Sequence, residues 1–359
     1  MDALRTILVF LVTFTVLVFV HELGHYVTAR LVGMRVLEFG FGFPPRMFKV
    51  VRSGIEYSVN WIPFGGFVRI LGEDGMARLA DGRLVPDSFA AKPIPARMLV
   101  LVAGVAMNVL LAVAVYTLIF ATGEPTFNGK VRWLHVAPGS PAEAAGMRDG
   151  DVITKIDGRV FVAPDEMRQY IYSHAGKGIG ISLERDGQQI GDVRAVPRAE
   201  PPANEGPLGL RDAEPVRDIV RHPLPVAVER GVQKTGVMLQ EIVRAFSRTI
   251  AGLLTGRGGG EDVSGVVGIF NLTGQVVPQG PAVVLELLAL LSLNLAVLNI
   301  VPFPGLDGGR LLFVAIEAFR GGRRLDPRTE AAIHAAGFVM LLLLVFVVSF
   351  FDIRRLAGG

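Results

Sequence analysis

The stretch VFVHELGHYV, Val18 to Val27, carries two histidines and a glutamate inside an otherwise apolar run. His21 and His25 stand at i and i+4, one above the other on a single helix face, with Glu22 beside the first. That spacing lets two imidazoles hold one zinc ion while Glu22 faces a water as general base. The chain has no cysteine, so thiolate ligands and disulfides are excluded and any further ligand is His, Asp or Glu. HExxH alone recurs by chance, and a lone buried histidine is more often a satisfied core residue. Here three ionisable groups lie within five residues at membrane depth, where each is costly and marks a site.

The elements that position these groups are membrane spans. Of 359 residues 51% are hydrophobic, and the mean hydropathy is +0.46. Four stretches reach the roughly 20 apolar residues that a bilayer needs: Ile7–Val32, Met98–Ala121, Ala282–Val301 and Ile333–Phe351. Arg5 ahead of the first run resembles a signal peptide, but no small-residue cleavage site follows, and the run is read as a retained span. Asn108 is the one strongly polar side chain in the second. The net charge of +3 gives no reason to expect a nucleic-acid partner. Basic residues crowd the loops 33–97 and 310–332, which the positive-inside rule makes cytoplasmic. Both termini and the segment between the second and third spans are then expected outside.

A zinc site needs a third protein ligand. The pattern HExxHxxGxxH fails, because Thr28 and Leu31 stand where its glycine and last histidine belong. Glu38 and Glu56 are the nearest acids but fall in a strand-rich loop. The remaining candidate is Asp307 in NIVPFPGLDGGRLLF (Asn299–Phe313). Pro302 and Pro304 break the third span, and irregular backbone at membrane depth is tolerated only where it lines a cavity. Asp307 is expected just beyond that break, free of helix geometry. Depth agrees: His21 comes about 14 residues, roughly 21 Å at 1.5 Å per residue, into a span of the same direction.

Between the spans the chain changes character. VLEFGFGF (Val36–Phe43) and IEYSVNWIPFGGFVRIL (Ile55–Leu71) read as strands and turns, and a free strand edge at the mouth of a site can take an extended peptide. VRWLHVAPGSPAEAAGMRDGDVITKIDGRVF (Val131–Phe161) alternates strand, turn, short helix and strand. With EMRQYIYSHAGKGIGISLERDG (Glu166–Gly187), it resembles a PDZ domain, which implies capture of an extended peptide or free C-terminus, or exclusion by size alone. Pro197–Pro207 reads as a linker, Val226–Leu254 as an interfacial amphipathic helix, and Arg257–Gly265 as a flexible joint.

Taken together, HELGH in the first span, the FGFGF and IPFGGFVRILGED loop, the PDZ-like insert and NIVPFPGLDGG resemble the site-2 protease family of zinc intramembrane metalloproteases, in its bacterial regulated-intramembrane-proteolysis branch. The resemblance implies one Zn²⁺ held by His21, His25 and Asp307, Glu22 as catalytic acid/base, Asn299 at the substrate's scissile region, and Gly40, Phe41 and Gly42 in a substrate-guiding β-loop. It also implies single-span membrane protein substrates, such as anti-sigma factors or remnant signal peptides, and a multi-pass place in a bacterial inner membrane. Two departures stand out: one PDZ-like domain where some relatives carry two, and GVAMN (Gly104–Asn108) where the family often has Gly-Pro before its asparagine. The expected architecture is a polytopic α-helical membrane protein of about four spans, with a cytoplasmic β-rich loop and an inserted extracytoplasmic PDZ domain. Its segments are 1–32, 33–97, 98–121, 122–200, 201–280, 281–309, 310–332 and 333–359. The competing expectation is a membrane-anchored PDZ scaffold without catalysis; a transporter would spread its ionisable groups over several spans.

Overall fold

The computed structural model describes residues 2–73, 77, 79–202, 205–255 and 265–358. In chain order the elements are α1 (Asp2–Leu31), β1 (Val36–Arg52), β2 (Ile55–Ile70), α2 (Ile94–Thr122), β3 (Glu124–Val136), α3 (Pro141–Ala144), β4 (Val152–Ile156), α4 (Pro164–Ser173), β5 (Ile179–Arg185), β6 (Gln188–Ala195), β7 (Leu210–Val220), α5 (Leu224–Thr255), α6 (Val266–Val276), α7 (Pro281–Ile300), α8 (Asp307–Phe319) and α9 (Pro327–Gly358). They form two compact units, Thr122–His222 and the remainder.

The larger unit is a helical assembly in which α1, α2, α7 and α9 are long and apolar enough to cross a membrane. Prolines open α7 and α9, where the missing N–H is one that no helical partner needs. α1 and α2 approach closely at Gly24, where a Cβ would run into the Ala103 carbonyl. α7 is tied to α2 by Ser292 Oγ, which donates to the Asn108 carbonyl at 2.8 Å. α9 presents most of its apolar surface outward, Leu343, Leu344 and Phe346 among it, as a lipid-facing span does. Near its end the buried Asp352 accepts the Gly265 and Gly268 N–H groups at 2.8 and 2.9 Å, satisfying orphan donors at the start of α6.

Strands β1 and β2 are long and bent, so that two strands give four paired segments. Arg46–Arg52 pairs with residues 55–60, which pair in turn with residues 38–41, and these pair on their far side with residues 66–69. An aromatic cluster fixes this sheet to α1. Phe39 meets Phe19 and Tyr26 edge-on at 5.6 and 5.3 Å, and the Tyr26 and Tyr57 hydroxyls are 2.8 Å apart.

The smaller unit is an antiparallel sheet of order β6-β5-β4-β3-β7. Alternating Ile179, Ile181 and Leu183 of β5 join Ile153, Ile156, Phe161 and Met167 in its core, the period-2 burial of a one-faced sheet. Ser140 caps α3 by accepting the Glu143 N–H, and the Glu143 carboxylate takes that of Gly139.

Several boundaries differ from those read in the sequence. The smaller unit runs to residue 222, not 200, because β7 returns from beyond the proline-rich stretch to pair with β3. Helix α6 lies in the expected linker 201–280, and α8 occupies the start of the expected loop 310–332. Asp307 is therefore not free of helix geometry but is the first residue of α8. The expected joint Arg257–Gly265 lies outside the described residues apart from Gly265.

Candidate metal centre

Three of the expected ligands meet. His21 Nε2 lies 3.0 Å from Asp307 Oδ2, His25 Nε2 lies 3.1 Å from the same oxygen, and the two Nε2 atoms are 3.2 Å apart. Both histidines are buried. Donors about 2.0–2.2 Å from a tetrahedral zinc are separated by roughly 3.3 Å, so this triangle matches one ion held in common. Two imidazoles and a carboxylate are also the donor set zinc accepts. Among the described residues this is the one such group of three or more His, Asp and Glu ligands.

Each ligand is placed by its element. The i, i+4 repeat of α1 sets the two rings edge-on with centroids 4.9 Å apart. His25 Nδ1 lies 2.8 Å from the Val100 carbonyl of α2. A carbonyl can only accept, so His25 Nδ1 carries the ring proton and the Nε2 lone pair faces the centre. His21 Nδ1 lies 3.2 Å from Asn108 Nδ2. Between these two contacts, Gly104 leaves room for both rings: a Cβ there would collide with His25 Nε2 and lie 2.7 Å from His21 Cε1. Asp307 arrives from the opposite side. After Pro302 and Pro304 stop α7, the chain turns at Gly305, whose φ of +97° suits glycine, and α8 begins with the aspartate at its favourable N-terminal end. The turn rests on α9, where His334 Nδ1 accepts the Gly305 N–H at 3.0 Å. A Cβ at Gly337 of α9 would run into the Pro304 carbonyl.

The other expected site residues are placed differently. Glu22 is half-buried beside His21, and its Cγ faces Gly66 of β2, where a Cβ would lie 3.4 Å away. Asn299 sits half-buried in the last turn of α7. Gly40 and Phe41 are paired on both sides, to Ser58 and Val59 and to Phe67 and Gly66, so they offer no free strand edge. Their glycines serve the sheet itself: a Cβ at Gly40 would strike the Phe67 ring, and Gly42 takes φ +78°. Among the described residues, the outer sides of Arg46–Arg52 and of residues 66–70 are both unpaired, and Gly66 brings the second edge against Glu22. Sequence reasoning missed Gly66 and the Val100 carbonyl, and it noted Gly104 and Asn108 only as the ends of GVAMN and as a polar group in an apolar span, without a role at the site.

Below the centre, α8 is held by charge. Arg310, one turn after Asp307, pairs with Glu73 in the turn that follows β2. The buried Arg97–Glu317 pair, bidentate at 2.8 and 2.6 Å, joins α2 to α8, and Arg324 adds 3.1 Å to Glu317. Burial opposes ionisation of the Glu317 carboxyl, but the hydrogen bonds from Arg97 and Arg324 outweigh it and hold its pKa below the usual value.

Comparison with known proteins gives the chain its relatives. A Rhizobium meliloti protein is 33% identical over 98% of this chain and 97% of its own. The zinc metalloproteases RasP of Shouchella clausii and Geobacillus kaustophilus are 28% and 29% identical, over 98% and 99% of this chain and 100% and 99% of theirs. Among solved structures the chain is similar to the PDZ domain of the SdrC-like protein from Listeria innocua, at 24% identity over 26% of this chain and 96% of that one, with a TM-score of 0.20. Residues 9–344 match Peptidase family M50. With that match over nearly its whole length, and with relatives aligned end to end, the chain belongs to Peptidase family M50, the site-2 proteases.

Proposed function

We propose that this multi-pass membrane protein hydrolyses a peptide bond within or near the transmembrane segment of single-span membrane proteins. The enzyme is a zinc metalloprotease of the site-2 type, and the observation that carries the reading is the triangle of donor atoms from the buried His21 and His25 and the half-buried Asp307. These three residues would hold the ion. When bound, zinc supplies Lewis acidity toward the peptide carbonyl and toward water. Glu22, next to His21 and against the unpaired edge of β2, takes the proton of the attacking water and returns it to the leaving amine. The Asn299 carboxamide donates to the substrate backbone near the scissile bond, where a neutral donor adds no further buried charge. A helical substrate hides its peptide bonds and must unwind first. The edge of residues 66–70, in the same β-loop as Gly40, Phe41 and Gly42, receives the unwound strand by backbone pairing.

The substrates in this reading are membrane-bound anti-sigma factors or remnant signal peptides, already trimmed by a first protease. The termini and the smaller unit lie on the extracytoplasmic side of a bacterial inner membrane, and the centre toward the cytoplasm. The smaller unit acts as a PDZ domain that filters substrates. In support, β7 is the outermost strand of its sheet, and a groove of about 640 Å³ runs between it and α4, lined by Trp133, Ile171, Tyr172, Leu208 and Leu210. An extended C-terminus or ectodomain segment would add there as a further strand. A scaffold without catalysis has no use for a third zinc donor or for Glu22.

The test compares purified wild type with Glu22→Gln on a single-span reporter, with zinc content measured on both. Wild type is expected to cut within the span, and the variant to keep its zinc without cutting. A Gln variant that cuts at the wild-type rate, or a wild type that holds no zinc, would overturn the reading.

A further inference from the structure

We infer that Asn108 is a positioning residue for the ligand His21: its carboxamide oxygen accepts a hydrogen bond from His21 Nδ1–H and so fixes the tautomer that turns Nε2 to the metal. The inference rests on the zinc reading above. A neutral imidazole that gives its Nε2 lone pair to a cation keeps its proton on Nδ1, and that proton needs an acceptor when no water reaches it. For His25 the acceptor is the Val100 carbonyl, part of the backbone. Among the described residues, the group within hydrogen-bond distance of His21 Nδ1 is the Asn108 carboxamide, at 3.2 Å.

Asn108 has the marks of a residue kept for this purpose. It is fully buried in the most apolar part of α2, where a carboxamide without partners is costly. Among the described residues its Oδ1 has no hydrogen-bond partner, and Nδ2 is the end turned toward Nδ1. A half-turn of the amide exchanges two ends of equal size in the same volume and brings the orphaned oxygen to the ring N–H. The backbone beneath is fixed independently, because Ser292 Oγ of α7 holds the Asn108 carbonyl. One turn earlier, Gly104 presents no side chain that could compete for either ring. The two ligands thus differ: one tautomer is set by main chain, which substitution cannot remove, and the other by a side chain, which it can.

The experiment uses the full-length protein in detergent and measures zinc affinity by competition with a chelator, together with the visible absorption of the Co²⁺-substituted form. Asn108→Leu keeps the volume and loses the acceptor. Zinc is expected to bind roughly 10–100-fold more weakly, with an altered cobalt spectrum and a cooperative unfolding transition still present. Asn108→Asp keeps an oxygen acceptor and has no N–H to donate, so it is expected to hold zinc at least as tightly as wild type, which a merely space-filling role would not require. Asn108→Asp falling to the level of Asn108→Leu would show that the amide donates instead, and would overturn the assignment, as would wild-type affinity and spectrum in Asn108→Leu. If Asn108→Leu does not fold, the Asp variant decides alone. A wild type without zinc removes both this inference and the metalloprotease reading, whereas tight zinc in wild type and both variants removes only this one.

Discussion

Gly104→Ala should disable the centre without touching a charge or a hydrogen bond. The added methyl would collide with His25 Nε2 and lie 2.7 and 2.9 Å from His21 Cε1 and Nε2. Carbon atoms prefer separations of at least about 3.5 Å, so the His21 ring must retreat by roughly 0.6–0.8 Å and the His25 ring by more. Neither can retreat freely, since Asn108 and the Val100 carbonyl stand behind them. A misplacement near 1 Å costs on the order of 100-fold in rate, and zinc affinity should fall with it. Stability is a poor readout here. Overpacking costs about 1–3 kcal/mol, while alanine in place of glycine inside a helix returns up to ~1 kcal/mol. The matched control is Gly236→Ala in α5, where, among the described residues, no atom beyond the helix's own neighbouring backbone lies within 4 Å of the added carbon; it should keep full activity and gain roughly 0.5–1 kcal/mol. The assay is zinc content and reporter cleavage on the two variants side by side. Wild-type rate and zinc in Gly104→Ala would refute the packing argument, because the methyl has no other space to enter.

Three further outcomes follow from the groups around α8. Arg97→Met leaves Glu317 buried beside its remaining partner Arg324 and should cost roughly 3–5 kcal/mol, read as a fall in the thermal unfolding midpoint; a change within error would show the pair to be dispensable. Because Arg97 and Arg324 depress the Glu317 pKa, its contribution is complete above the ordinary value of 4.5 and is lost as pH falls through the lower folded value. Wild type should therefore lose more stability than Glu317→Gln on going from pH 7 to pH 3, and parallel profiles would contradict this. His334→Leu removes the acceptor for the Gly305 N–H and should lower kcat by roughly 10-fold or more through Asp307, with KM little changed. His334→Asn can still accept that N–H and should recover most of the rate, whereas equal loss in both variants would place His334 outside the positioning of Asp307.

What the chain disclosed in advance depended on whether a functional residue broke a local rule. HELGH was legible because three ionisable groups in an apolar helix contradict its composition, and i, i+4 spacing states the geometry outright. Asp307 is 282 residues from His25, yet it was legible because two prolines interrupt an apolar run just ahead of it. The bent sheet was half legible: the strands were clear from their residues, but pairing of one segment with two others is a long-range choice that alternation cannot reveal. That is why the interior place of Gly40 and Phe41, paired on both sides, and the unpaired outer side of residues 66–70 could not be read in advance. The strand β7 was lost for a related reason, since its charged, exposed face gives little alternation and its partner β3 lies far upstream. Asn108 did break a rule, as an amide in an apolar span, and the signal was noticed without its meaning. Gly104 broke none. Glycine is ordinary in a membrane helix, and its importance comes wholly from the two rings that another helix brings against it. A centre assembled from several spans hides its small residues in this way, because a position whose task is to be empty leaves no chemical mark until its neighbours are known.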